Sequence, residues 1–242
     1  MIANRLENKN AFVTGGSRGI GFAIARRFAR EGAGVALLSR SEQNLEAARQ
    51  NILSEMPETD VVLRPADVTG QKQVEKAVNE ALDQLGHVDI LVNSAGVASL
   101  GDIDEMSVEQ WEYIMAVNIF GAYYTCRAVW PHFKERGGGS IINLASGSGR
   151  RAHAGWSAYC TSKFAVMGLT DSLQKEGRPH GIRCNVICPG PTETDQRRSN
   201  FGEEPPEKLM QPEQIAEVAV FFASDESKWV SGPGVDVRKE PI

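Results

Sequence analysis

Tyr159 stands four residues before Lys163 in "SAYCTSKFAV" (157–166), a spacing that puts a phenol and an ammonium on one face of a helix. A tyrosine titrates near pH ~10 in water, and a neighbouring cation that stabilises the phenolate makes it a usable acid at neutral pH. The pair is suited to proton transfer. Spacing alone proves little, because with 4 Tyr and 9 Lys among 242 residues chance yields a Tyr-x-x-x-Lys about once in seven such chains. The chemistry needs partners elsewhere.

A second kind of chemistry is written near the start. "FVTGGSRGIGFAIARRF" runs an apolar strand straight into Gly15, Gly19 and Gly21 and then into an amphipathic helix. Such a turn lets the backbone approach a pyrophosphate, and the helix N-terminus offers free N–H groups to it. Ser17, Arg18 and Ile20 belong to the same turn. After the second strand, "LLSRSEQNL" places Ser39 and then Arg40 where a chain that prefers NAD commonly has an acid for the ribose 2'-hydroxyl. Arg18 and Arg40 are instead suited to clamp a 2'-phosphate, so the expected cofactor is NADP(H).

The elements that must position these residues follow a clear alternation. Strand candidates are 10–15, 34–39, 60–66, 88–94, 140–146, 182–189 and, weakly, 234–237; helix candidates are 19–31, 42–55, 71–86, 107–136, 157–176 and 212–224. This predicts an α/β, Rossmann-type doubly wound fold: a seven-stranded parallel sheet with helices on both faces, as one domain over 1–242. "ERGGGS" (135–140) ends a helix before the next strand. Residues 189–211 show neither a strand nor a long helix pattern and are rich in Pro and charge, which predicts a mobile loop beside a site.

Totals narrow the function classes. With 41% hydrophobic and 24% charged residues the composition is that of a water-soluble globule. A formal net charge of -5 without a clustered basic face argues against nucleic acid. Cys126, Cys160, Cys184 and Cys188 form neither a Cys-x-x-Cys pair nor a His/Cys cluster, so no metal and reduced thiols are expected. The start has no signal-peptide pattern and no apolar run reaches the ~18 residues of a membrane span. The expected compartment is the cytoplasm.

The ordered set of motifs resembles the short-chain dehydrogenase/reductase family over about residues 8–225. The likeness covers "TGxxxGxG" as Thr14, Gly15, Gly19 and Gly21, "NNAG" as Asn93, Ser94, Ala95 and Gly96, and "YxxxK" as Tyr159 and Lys163. It also covers a serine 13 places before the tyrosine (Ser146), an asparagine in "MAVNIFG" (Asn118), and Pro189, Gly190 and Thr194 of "PGPTET", with Thr192 between them. The resemblance implies Tyr159 as proton donor, Ser146 as partner of the carbonyl oxygen, and Lys163 as the cation that lowers the tyrosine pKa while holding the nicotinamide ribose. Asn118 would support a water leading protons to Lys163. Asp67 and Val68 would contact adenine; Asn93, Ala95 and Gly96 would line the ribose side; Ile20 would lie over the cofactor or in the core. Ser148 rivals Ser146, since "ASGSG" holds both. Ser94 replaces the family's second Asn.

Substrate choice is less legible. His153 and Trp156 are placed to touch a substrate, with Val97, Ser99, Leu100 and Phe201 as further walls. Arg150, Arg151, Arg197 and Arg198 raise an anionic substrate or, alternatively, plain solvated charge. The chain ends "GVDVRKEPI", with Arg238 and Lys239 where the family often has glycines. The family's use of the helices at 107–136 and 157–176 implies a homodimer or homotetramer. The expected activity is NADPH-dependent reduction of a small-molecule ketone or aldehyde, or the reverse oxidation of a secondary alcohol. The rival is a non-catalytic NADP(H) sensor on the same fold. A sugar epimerase or dehydratase would need more residues after 190.

Overall fold

The computed structural model describes residues 4–239; Met1–Ala3 and Glu240–Ile242, the ends of the expected 1–242 domain, lie outside the described residues. Its seven strands are β1 (Asn10–Thr14), β2 (Gly34–Ser39), β3 (Val61–Pro65), β4 (Ile90–Asn93), β5 (Gly139–Leu144), β6 (Ile182–Pro189) and β7 (Gly232–Val237). They form one parallel sheet in the order β3-β2-β1-β4-β5-β6-β7. The helices are α1 (Gly19–Arg30), α2 (Glu42–Glu55), α3 (Gln71–Leu85), α4 (Val108–Met115), α5 (Gly121–Glu135), α6 (Ser157–Gly177), α7 (Asp195–Phe201) and α8 (Pro212–Ala223).

A parallel sheet covered on both faces needs apolar residues at successive strand positions, and these strands supply them. Ala11, Val13, Val35, Leu37, Ile90 and Val92 face a core completed by α1, α2 and α8. Their neighbours Phe12, Ala36, Leu38 and Leu91 face a second core completed by α3 and α5. Each full burial of such a side chain is worth roughly 1.5–3 kcal/mol, so the alternation dictates which helix covers which face. All four cysteines are free and buried. No helix of the described residues is long and apolar enough to cross a membrane.

Two stretches differ from expectation. The helix expected over 107–136 is divided into α4 and α5 by a π-helical turn, Ala116–Phe120; the apolar pattern runs through it, so periodicity does not mark the break. Residues 189–211 contain α7, a 3₁₀ turn at Pro206–Lys208 and a bridge between Thr192 and Met210. Thr194 caps α7, its hydroxyl accepting from Arg197 N at 3.1 Å. "DQRRSNF" has too little apolar period to announce a helix.

The chain order reverses between β1 and β4, which leaves a crevice at their carboxyl ends, the place where such sheets bind ligands.

Candidate active site

The turn after β1 is shaped by backbone demands. Gly15 and Gly19 have φ of +67° and +58°, in the left-handed region that side chains disfavour. At Gly21 a Cβ would fall 2.4 Å from the Gly15 carbonyl oxygen, so only glycine lets the first turn of α1 close onto the loop. Thr14 ties this turn to β4: its hydroxyl accepts from Ser94 N and Ala95 N, each at 3.1 Å. Gly15, Ser17, Arg18, Gly19, Ile20 and Gly21 all line the resulting cleft, and Ile20 also packs against the core.

Beyond the turn, Ser39, Arg40, Asp67 and Val68 line the same cleft. Arg40 donates to the Tyr113 hydroxyl at 2.9 Å, which brings a residue of α4 to this end. Asp67 Oδ1 accepts from Thr69 N at 2.9 Å and Thr69 Oγ1 at 2.8 Å. Arg18 Nη1 lies 3.7 Å from Asp195 of α7. Gln196 also spans the cleft: with its amide nitrogen toward Gly96 it donates to that carbonyl at 3.0 Å and accepts from Ala98 N at 3.2 Å. Tyr113, Asp195 and Gln196 escape a sequence reading because their partners lie far away in the chain.

At the other end Ser146 follows β5 in extended conformation, and its Oγ accepts from Ser148 N at 3.1 Å. Both serines line the cleft; Ser148 is buried, and the Ser146 hydroxyl is the one that acts on the Tyr159 phenol, favouring its charged form. Lys163, 6% exposed, places Nζ 5.7 Å from the Tyr159 ring centroid and donates to Leu144 O at 2.9 Å. Burial lowers its pKa to about 8. Burial also raises the Tyr159 phenol above its usual value, opposed by the Ser146 hydrogen bond and more weakly by the Arg197 charge. The net direction is upward, opposite to the lowering expected from Lys163. Desolvation disfavours both charged forms.

Asn118 and Asn93 are both buried, and Asn93 is placed differently from expectation. Asn118 sits in the π-helical turn, 2% exposed; its Oδ1 accepts from Val97 N at 2.8 Å and its amide donates to Val97 O at 2.9 Å and Ser162 Oγ at 3.0 Å. Ser162 in turn donates to Tyr159 O at 2.7 Å. Both N–H groups are used in these bonds, and the side chain braces the first turn of α6 against the loop after β4. Asn93 turns into the sheet interior, donating to Asn143 Oδ1 at 2.9 Å and accepting from Thr125 Oγ1 at 2.5 Å. It does not line the cleft, whereas Ser94, Ala95, Gly96 and Val97 do. The buried amide is satisfied inward, where an apolar surround makes an unpaired one costly.

The far end is aromatic. Trp156 and Phe201 stack with centroids 5.3 Å apart, Trp156 meets Tyr159 edge-on at 5.8 Å, and His153 meets Trp156 at 5.8 Å. Arg197 lies over the Phe201 ring at 4.2 Å and makes two bonds to Glu204, at 2.6 and 2.9 Å. Arg198 pairs with Glu193 at 2.5 Å, and Arg150 with Asp236 at 2.8 Å and the Gly234 carbonyl. Ser99, Leu100, Arg150, Arg151 and Arg198 do not line the cleft. Pro189, Gly190, Thr192 and Thr194 do.

The whole cleft encloses about 790 Å³, within the ~300–1,000 Å³ usual for small-molecule sites. Its glycine cradle, helix N-terminus and terminal phenol suit a nicotinamide dinucleotide. Among the described residues no group of three or more His, Cys, Asp or Glu is placed to hold a metal.

Known proteins resemble the chain across nearly its full length. It is 38% identical over 236 residues to the 2-(R)-hydroxypropyl-CoM dehydrogenase of Xanthobacter autotrophicus, covering 92% of this chain and 94% of that one. Among crystal structures, a gluconate 5-dehydrogenase from Burkholderia cenocepacia in complex with NADP and tartrate matches with a TM-score of 0.89 at 29% identity, over 98% and 96% of the two chains. A 3-ketoacyl-(acyl-carrier-protein) reductase from Brucella melitensis complexed with NADH matches with a TM-score of 0.90 at 31% identity, over 97% and 98%. A family model described as short chain dehydrogenase matches residues 9–205. The chain belongs to the short-chain dehydrogenase family and is an oxidoreductase of alcohols and ketones that uses a nicotinamide cofactor.

Proposed function

We propose that the protein is an NADPH-dependent oxidoreductase that reduces a ketone or aldehyde to an alcohol, or runs the reverse oxidation, through Ser146, Tyr159 and Lys163. The observation that carries this reading is the convergence of those three side chains, from the loop after β5 and from α6, at one end of a cleft whose other end is the glycine turn. The nicotinamide, when bound, supplies or accepts the hydride. Tyr159 gives its hydroxyl proton to the substrate oxygen. The Ser146 hydroxyl, whose oxygen already accepts from Ser148 N, donates to that oxygen as charge builds on it. Lys163, anchored on the Leu144 carbonyl, stabilises the phenolate left behind and holds the ribose of the nicotinamide. Asn118 acts as a positioning residue through Ser162 and the Tyr159 backbone.

The preference for NADP(H) rests on Arg18 and Arg40 lining the cleft without an acid at Ser39. Relatives with NADP and with NADH both occur, so family membership alone does not choose. We propose also that the protein works as a single domain and in the cytoplasm. Assembly as a dimer or tetramer is supported by the exposed Phe120, Tyr123 and Phe164 around α5 and α6.

Tyr159→Phe tests the mechanism. Fluorescence titration should find NADPH binding within about twofold of the parent, while turnover falls about 10²- to 10⁴-fold, the usual worth of a placed proton donor. Substantial activity left in that variant would refute the assignment.

A further inference from the structure

Resting on the reading just given, we infer that the substrate is a neutral ketone bearing a flat ring, held against the aromatic wall of Trp156, Phe201 and His153, and not an anion. Two sets of contacts, which share the Arg197–Glu204 pair, lead there.

The first is the wall itself. Trp156 lies three residues before Tyr159 and meets it edge-on at 5.8 Å, so a carbonyl presented to the phenol has its substituents beside the indole. Phe201, at the end of α7, extends the surface by stacking on Trp156 at 5.3 Å with only 27° between the planes. The Arg197 guanidinium lies over the Phe201 ring at 4.2 Å, and Glu204 fixes that guanidinium through both oxygens. A chain of charge, ring and ring therefore supports a flat surface next to the proton donor. A planar substituent gains offset or edge contacts with such rings. An open chain of equal carbon number must freeze several rotors to cover the same area.

The second concerns charge. Of the four arginines that suggested an anionic substrate, Arg150, Arg197 and Arg198 are each bonded to a carboxylate, of Asp236, Glu204 and Glu193 respectively. Residues 189–211 carry five carboxylates against three cations. A substrate carboxylate would enter an acidic loop and have to displace an existing bidentate pair from Arg197, and a like charge brought to such a place is repelled. The cation at the wall serves the ring of Phe201.

Three probes separate the possibilities: acetophenone, 2-octanone with the same number of carbons and no ring, and 4-acetylbenzoate with the ring and a carboxylate. Cofactor absorbance gives kcat/KM, and saturation-transfer NMR on the protein saturated with NADP+ gives binding without turnover. Acetophenone should exceed each of the others by about tenfold or more, mainly through KM. Phe201→Ala should shrink the ring-to-chain ratio to within about threefold, and Phe201→Tyr should keep it, because the flat face is retained. Equal values for ring and chain, or a preference for 4-acetylbenzoate, overturns the inference while leaving carbonyl reduction standing. Ring-selective binding that depends on Phe201, with no turnover of any probe, supports the pocket and sinks the catalytic reading. Neither binding nor turnover of acetophenone overturns the inference as well.

Discussion

At the carboxyl ends of β1 and β4 the cleft wall is mostly backbone. Gly21 admits no side chain without moving the Gly15 carbonyl, Gly15 holds a φ of +67° with the Ala95 backbone 3.0 Å from where a Cβ would lie, and Thr14 bonds two successive amides of the facing loop. At residues 189–211 the wall is made of side chains: Phe201 on Trp156, Arg197 on Phe201 and Glu204, Gln196 across to Gly96 and Ala98. Backbone geometry set by buried strands is hard to alter, whereas long exposed side chains re-pair at small cost. The first end suits a ligand common to many enzymes, and the second can be retuned to a new substrate.

The steepest test of that contrast is Gly21→Ala. A Cβ 2.4 Å from the Gly15 carbonyl must push the turn aside, with overpacking costs of about 1–3 kcal/mol. NADPH affinity and the midpoint of thermal unfolding should both drop; an unchanged midpoint with intact binding would show the turn to be pliable. Arg40→Ala comes next. Losing a charge-assisted bond worth about 1.5–3 kcal/mol should weaken NADPH binding roughly ten- to hundredfold and leave NADH binding alone, as read by fluorescence titration. Arg18→Ala should do less, since Asp195 already shares that guanidinium.

A pH profile probes the reacting end, which joins the two. Burial holds the Lys163 ammonium at about 8, below its ordinary range. Its positive charge is therefore present below that pH and lost as pH rises through it. The kcat/KM for carbonyl reduction should be level in weakly acidic solution and fall above about pH 8. A profile level to about pH 10 would remove Lys163 from the mechanism. The smallest effect belongs to Glu204→Gln. Its partly exposed pair with Arg197 should contribute under about 1 kcal/mol to stability, so calorimetry should find the midpoint nearly unmoved while KM for a ring ketone rises a few-fold. A large stability loss would mean that the substrate end is built as firmly as the cofactor end.

Much of the fold was legible because its determinants are local. Doubly buried strands need continuous apolar runs, and "NAFVT", "VALLS" and "IRCNVICP" supply them. Even the weak strand at 234–237 forms, extended to Gly232–Val237. The glycine turn and the Tyr159–Lys163 spacing were legible for the same reason. Illegible features depend on partners far away: Arg40 finds Tyr113 73 residues on, and Asn93 finds Asn143 rather than the cleft. The π-helical turn at Ala116–Phe120 carries no periodic signature that would separate it from its helical neighbours.

Sequence by itself determined the alternation of strands and helices, the position of the glycine turn and the presence of a phenol and an amine one helical turn apart, because each follows from residues close together in the chain. Only the tertiary structure decided which way those groups face and what charge their surroundings favour. Desolvation at Tyr159 and Lys163, the pairing of three suspected substrate arginines with carboxylates and the inward turn of Asn93 all arise from atoms brought together by folding. Electrostatics and hydrogen bonding act through space, and the spacing of residues along a chain does not contain that distance.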